Sequence, residues 1–384
     1  MISPSRMRPN KITADYSIKL EGDHRTSDIS ARVNSLELTL NRGMSADSLI
    51  IEFDDADGQL ELPKRGRKLT LELGWSGTGN ALIKQGEFII DAVIHSGAPD
   101  KIKVSGNSLD FRSLTDQKKT TSYSDSDTDV VTLGEIVISI AKSNNLKPAV
   151  LPEIAQMKVV RAHQKDQSDL NFLGNLLKLY GGVAMIKRGY LIATIPGTGQ
   201  NVSGMPLPPV LINRSDGDSH SFSVKDRNIY TGVKARWLDV KAAQQKQLFL
   251  QQKGNTKNVP SVAHPDAKAA QSDDENIYSL TAGAGSKPFV LDQLMPDQQT
   301  ALQVAKGKWN ELQRGTVEFS LNLAVGRAEI DVESPVLLQG FKQEANAMSW
   351  VVSKVVHKID ESGFTSNLNL EPLPNDSNFT ISYE

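Results

Sequence analysis

The sequence predicts a mainly β fold with an α+β insertion. Three observations carry that prediction. Apolar and polar residues alternate with period two through short runs in residues 11–112, and again in residues 216–372. Between them, residues 131–215 contain runs with helical spacing. A segment of the first β block also matches a segment of the last.

In the first block, Leu36-Glu37-Leu38-Thr39-Leu40, Ser48 to Phe53, Lys68 to Leu73 and Ile102-Lys103-Val104 read as strands with one buried face. Turn-rich links separate them: Asn41-Arg42-Gly43, Asp54 to Gly58 and Ser96 to Asp100. Short strands with turns this close suggest a sandwich or barrel. The acidic turn fails as a calcium loop. Phe53 stands where an alternate ligand is needed and Lys64 where the closing Glu belongs, so it reads as a hairpin turn.

Residues 113–130 read as a linker that includes the acidic run Ser122 to Asp129. Thr132 and Glu135 then form a capping box, with Leu133, Ile136, Val137, Ile140 and Ala141 on one apolar face. Pro148 and Pro152 forbid a second helix close behind, which argues against a helix-turn-helix. A second helix is capped by Ser168, with Asp169 at its positive end. Leu170, Leu173, Leu176, Leu177 and Tyr180 share a face that Phe172 widens. Gly181 and Gly182 stop it, since glycine takes a left-handed cap without steric cost. Val183 to Ile186 and Tyr190 to Ile195 read as a hairpin about Lys187-Arg188-Gly189.

In the last block, Phe88-Ile-Ile-Asp-Ala-Val-Ile-His95 aligns with Trp350-Val-Val-Ser-Lys-Val-Val-His357. Each is an aromatic, then branched residues at the same positions, then His. Gly74-Trp75 is matched with Gly340-Phe341, and the two blocks are expected to share a fold. His95 and His357 stand alone at strand ends, with no Ser-His-Asp set or His-x-x-x-His pair beside them. A structural role is expected for both, as for Trp350. Residues 242–290 read as a polar insertion and 373–384 as a polar tail. Between insertion and tail, Asp297 caps a helix carrying Leu302, Ala305, Trp309 and Leu312, which is expected to pack across the second β block.

Composition narrows the function. With 43 basic and 45 acidic residues, no global attraction to nucleic acid or anionic membrane is expected. There is no cysteine, hence no disulfide, thiol catalysis or cysteine-bound zinc. The first seventeen residues lack the apolar core of a signal peptide. No run approaches the ~20 apolar residues of a membrane span. G-x-S-x-G, H-E-x-x-H and a phosphate loop are all absent, and Pro288 spoils Gly283-Ala-Gly-Ser-Lys287 as one. No cofactor, metal or catalytic residue is expected.

Ser168-Asp-Leu-Asn-Phe-Leu173 followed by Tyr180-Gly181-Gly182 and a strand pair resembles the late control gene D proteins of contractile-tailed phages. A related phrase occurs in the hub part of type VI secretion spike proteins. The resemblance extends through Asp54 to Pro63, His95 to Asp100, Gly232 to Trp237 and Gly363-Phe-Thr365. It implies two tube-type β-barrel domains, 11–112 and 216–372, flanking the small α+β domain. It also implies a structural hub: a homotrimeric ring between the hexameric tail tube and the trimeric spike, contacting other baseplate proteins. Such a protein sits in the baseplate of a virion or tail-like particle and is assembled in the host bacterial cytoplasm. Asp169, Phe172 and Tyr180 are expected to set the middle domain against the barrels. The alternative is a tail-associated peptidoglycan-degrading enzyme, for which no segment of catalytic-domain length is left over.

Overall fold

The structure is a computed structural model, and it describes residues 12–21, 31–77, 79–108, 118–123, 130–160, 162–224, 230–239, 242–252, 287–373 and 379–383. The fold is mainly β. The first block forms β1 (Thr13–Leu20), β2 (Val33–Asn41), β3 (Ser48–Asp54), β4 (Lys68–Ser76), β5 (Ile83–Ser96) and β6 (Lys101–Ser108). The middle block forms β7 (Lys118–Tyr123), β8 (Val130–Thr132), α1 (Leu133–Ser143), β9 (Lys147–Val150), α2 (Pro152–Ala155), β10 (Lys158–Val160), β11 (Ala162–Ser168), α3 (Asp169–Leu179), β12 (Val183–Lys187) and β13 (Tyr190–Thr194). Then come β14 (Val210–Asn213), β15 (Gly217–Val224), β16 (Tyr230–Asp239), β17 (Gln244–Gln252), β18 (Lys287–Met295) and α4 (Gln298–Arg314). The chain finishes with β19 (Val317–Leu323), β20 (Pro335–Gln339), α5 (Gln343–Asn346), β21 (Ser349–Asp360), β22 (Gly363–Pro372) and β23 (Phe379–Tyr383).

The first and last blocks share one twelve-stranded sheet. Its first half has the order β1-β4-β5-β6-β3-β2, and its second half has β14-β20-β21-β22-β19-β15. These are the same order, strand for strand, with β5 and β21 in the same place. The bulges recur as well. The β5–β6 ladder slips at Asp91 and the β21–β22 ladder at Ser353, three residues after the matched aromatics Phe88 and Trp350. The β2–β3 and β15–β19 ladders slip at corresponding points, after Val33 and after Gly217. Chain direction differs in one pair, since β1–β4 is antiparallel and β14–β20 parallel. The ladders equate Val336 with Leu69, which sets Gly340 one residue away from Gly74, so that part of the sequence match is out of register.

The halves join because β21 serves two neighbours along one edge. Its start, Ser349 to Val351, pairs with β20, and Lys354 to Ile359 pairs with β2. Ser353, the bulge, lies between them. Among the described residues, β1 and β2 share no ladder, and neither do β14 and β15. Alternation along the strands buries one core, from Leu36, Leu38, Ile51 and Phe88 through Phe319, Trp350 and Phe364.

A second core is shared by the middle block and a four-stranded sheet, β18-β16-β17-β23. This changes three expectations. Residues 118–123, inside the stretch read as linker, are a strand paired with β11. Of the polar stretch 242–290, residues 244–252 and 287–290 belong to β17 and β18, while 253–286 lie outside the described residues. The tail contributes β23, which extends that sheet beside β17. Helix α4 also packs away from the long sheet. Val304, Ala305, Trp309 and Leu312 are buried with Val233, Ala235 and Trp237 of β16 and with Leu173 and Tyr180. Its apolar stripe only required some apolar surface, and the surface nearest in space is the four-stranded sheet.

Candidate functional site

The expected structural residues divide between two places. Asp169, Phe172, Leu173, Tyr180 and Gly181 lie together in and just after α3. Ser168 caps the helix, accepting from the Asn171 amide at 3.3 Å. Asp169 is buried, which works to raise its pKa, but three hydrogen bonds more than offset this and the net shift is downward. Its Oδ2 accepts from Lys119 Nζ at 2.6 Å and Asn144 Nδ2 at 2.8 Å, and its Oδ1 from Gln164 Nε2 at 2.9 Å. One carboxylate thus ties β7, the end of α1 and β11 to the start of α3. Phe172 stacks on Tyr123 of β7 at 5.3 Å between centroids, and Leu173 is fully buried. Tyr180 donates its hydroxyl to the Lys158 carbonyl at 3.3 Å. Burial, with Asp297 nearby, pushes its pKa up to about 12.

These residues hold the second core together. Leu173 and Tyr180 share that core with α4 and β16 of the last block, whereas the long sheet meets the middle block elsewhere. That contact combines Met185 of β12, buried in the core of the long sheet, with charged residues the sequence reading passed over. Asp47, buried just before β3, and Lys187, partly buried at the end of β12, meet at 2.6 Å. Burial raises the Asp47 pKa, opposed by Lys187. Arg188 reaches Asp331 at 3.4 Å.

Deeper in, Arg42 pairs with both Glu333 and Glu371. The other oxygen of Glu333 accepts from the Gly197 amide at 2.8 Å, just beyond β13. Arg314, at the end of α4, donates to the Pro196 carbonyl at 3.1 Å. First block, middle block, last block and α4 therefore meet around one buried cluster. Burial raises the pKa of Glu333 and lowers that of Arg314. Glu333 also holds a left-handed backbone, φ 67°. Its counterpart in the first half is Gly66, φ 85°, and the flanking hydrogen bonds correspond: Glu333 to the Val352 carbonyl, Gly66 to the Ile90 carbonyl. A glutamate is held where the duplicate uses glycine, at a cost of roughly 1–2 kcal/mol, because its carboxylate completes the cluster. Arg42 and Glu333 carry no sequence signal beyond being charged residues in turns.

The two histidines are in matched positions with different surroundings. His357 is buried, its Nδ1 2.8 Å from Ser366 Oγ, and burial pushes its pKa down to about 4. His95 is exposed, 3.5 Å from Asp100 and 3.7 Å from Asp55. Trp350 is fully buried and donates from Nε1 to the Ala345 carbonyl at 2.8 Å. Among the described residues no group of three or more His, Asp or Glu is arranged to hold a metal. No helix of the described residues is long and apolar enough to cross a membrane.

This architecture is a fold of phage tail proteins. The 43 kDa tail protein of prophage MuSo2 from Shewanella oneidensis superposes with a TM-score of 0.61 at 12% identity, over 93% of this chain and 98% of that one. The E. coli c3393 protein, a component of the type VI secretion system described as structurally similar to the T4 tail proteins gp27 and gp5, matches with a TM-score of 0.52 at 11% identity, over 93% of this chain and 77% of that one. No family model matches the chain. Sequence relatives specify which tail protein. The probable baseplate hub proteins of Escherichia phages P2 and 186 are 39% and 37% identical, over 94% and 93% of this chain and 93% and 92% of their own. The chain belongs to this family of phage baseplate hub proteins.

Proposed function

We propose that the protein is a non-enzymatic hub: a homotrimeric ring in the tail baseplate that joins the six-fold tail tube to the three-fold spike. The observation that supports this most directly is the duplicated strand order, with its bulges repeated, in one chain. Three copies around an axis present six similar β units to a six-fold partner, while the chain itself repeats three times toward a three-fold one. Each set of six strands acts as a tube-type barrel, the first in 11–112 and the second in 216–372 with β14 (Val210–Asn213) added to it from the end of the middle domain, 131–215. The relatives' name and the likeness to a type VI secretion component support the same reading. Partners are the spike, the tube protein and other baseplate proteins, with assembly in the host cytoplasm before release in the particle.

The test is solution mass by light scattering, for the full chain alone and co-expressed with the spike protein of the same tail. Three chains, alone or with three spike chains, is the expected result. A monomer in both conditions would overturn the ring, and peptidoglycan cleavage would then be assayed.

A further inference from the structure

Among the described residues the join between β2 and β21 occurs once, yet the duplication supplies the parts for it twice. β15 is the counterpart of β2 and β5 the counterpart of β21. Within the chain, β2 covers the second half of β21, with Leu40 opposite Val355 and Leu38 opposite His357. Among the described residues, the corresponding half of β5 has no such cover. β4 and the residues before it pair only as far as Ile90, and among the described residues no strand pairs with Asp91–Ser96 on that edge. β15 is likewise the last strand of the long sheet, with its outer edge unpaired among the described residues.

Exposure shows what is missing. Val224 of β15 is 57% exposed, whereas its counterpart Leu40 is 3% exposed. The His95 side chain is 44% exposed, whereas its counterpart His357 is 0% exposed. Ile94 is 53% exposed, although its counterpart Val356 is partly covered. Apolar residues at an unpaired sheet edge are a liability unless another strand covers them. The two edges are chemically suited to each other.

We propose that β15 of one copy adds to the free edge of β5 in the next copy, antiparallel, with Val224 opposite Val93, Ser223 opposite Ile94, Phe222 opposite His95 and Ser221 opposite Ser96. This register is the one obtained by carrying the β2–β21 ladder over through the duplication. The pairs match in kind. Val224 and Val93 repeat the apolar pair Leu40 and Val355. Ser223 and Ile94 repeat the hydroxyl-to-branched pair Thr39 and Val356, and Phe222 and His95 the apolar-to-imidazole pair Leu38 and His357. The contact is head-to-tail, so it makes a ring when successive rotations close. The proposal rests on the trimeric reading and names the strands that would close it.

The chain has no cysteine, so introduced pairs report cleanly. Ser96→Cys with Ser221→Cys in one chain changes two exposed residues, and facing residues of an antiparallel ladder lie within disulfide reach, about 4.5–5.5 Å between Cα atoms. Under mild oxidation, denaturing gels should show covalent dimers and trimers. Val93→Cys with Val224→Cys should do the same, whereas Ile94→Cys with Val224→Cys, which point to opposite faces, should not. A protein that scatters as a trimer but gives no link with either in-register pair overturns the strand pairing and leaves the ring intact. A protein that scatters as a monomer with and without spike, and links nothing, overturns both.

Discussion

Gly181 and Gly307 touch backbone to backbone. A Cβ built on Gly181 would stand 2.3 Å from Gly307 Cα, and one built on Gly307 would stand 2.4 Å from Gly181 Cα. The turn that ends α3 and the middle of α4 therefore approach as closely as two chains can. Gly181 also needs its left-handed backbone, φ 76°. Gly307 is inside a helix, where glycine is unfavourable by roughly 0.5–1 kcal/mol relative to alanine. The close crossing explains why it is there.

Gly307→Ala thus sets helix propensity against a steric clash. The clash should dominate, because overpacking costs about 1–3 kcal/mol and the opposing group is backbone. The urea midpoint should fall. Gly189→Ala is a useful comparison, since a Cβ there meets nothing within 4 Å and only its φ of 82° opposes the change. An unchanged midpoint for Gly307→Ala would mean that α4 is free to shift.

Phe172→Ala removes a buried ring stacked on Tyr123 and leaves a cavity between α3 and β7. The expected loss is about 3–5 kcal/mol, read as a lower melting temperature. Because Phe172 lies inside the second core, oligomer mass at low temperature should not change.

The Arg42–Glu333 pair tests the junction. Glu333→Gly removes the carboxylate while permitting the backbone, and because Arg42 keeps Glu371 as a partner its cost should fall below the about 3–5 kcal/mol of an uncompensated buried charge. Glu333→Ala should cost about 1 kcal/mol more, because alanine retains the strain at that φ. Denaturant titration of both variants gives the order. If Glu333→Ala proves the more stable, the strain argument is wrong.

His357 makes stability depend on pH. Its folded pKa of about 4 lies below the ordinary 6.5, so the unfolded chain binds a proton that the folded chain refuses. Above pH 6.5 this costs nothing. Between about 6.5 and 4 stability falls as pH falls, by at most about 3 kcal/mol from this residue. Asp169, with its pKa lowered, contributes stability that is lost only at still lower pH, as it is protonated in the fold. Urea denaturation at pH 7.5 and 5 should show the first loss in the native chain and a smaller loss in His357→Leu. Equal losses in the two would remove His357 as the cause.

Features set by neighbouring residues were legible in the sequence. Thr132 and Glu135 form the expected capping box, Ser168 caps α3, and Lys187 to Tyr190 turn the β12–β13 hairpin. Periods of two and of about four located most strands and helices, because a strand or helix buries its face by a local rule. The match of Phe88–His95 with Trp350–His357 located the duplication.

By itself, then, the sequence determined the β-rich class, the capped helices, the internal duplication and, through its wording, the hub family. Tertiary structure decided how these parts join. It merged both β blocks into one sheet through β2 and β21, and it gave α4 and residues 244–252 to the middle core. It set Arg42, Glu333, Asp47 and Lys187 in the junctions. The physical reason is separation along the chain. A cap or an alternation is satisfied within a few residues, whereas Arg42 and Glu333, or Gly181 and Gly307, become neighbours only once the whole chain has folded.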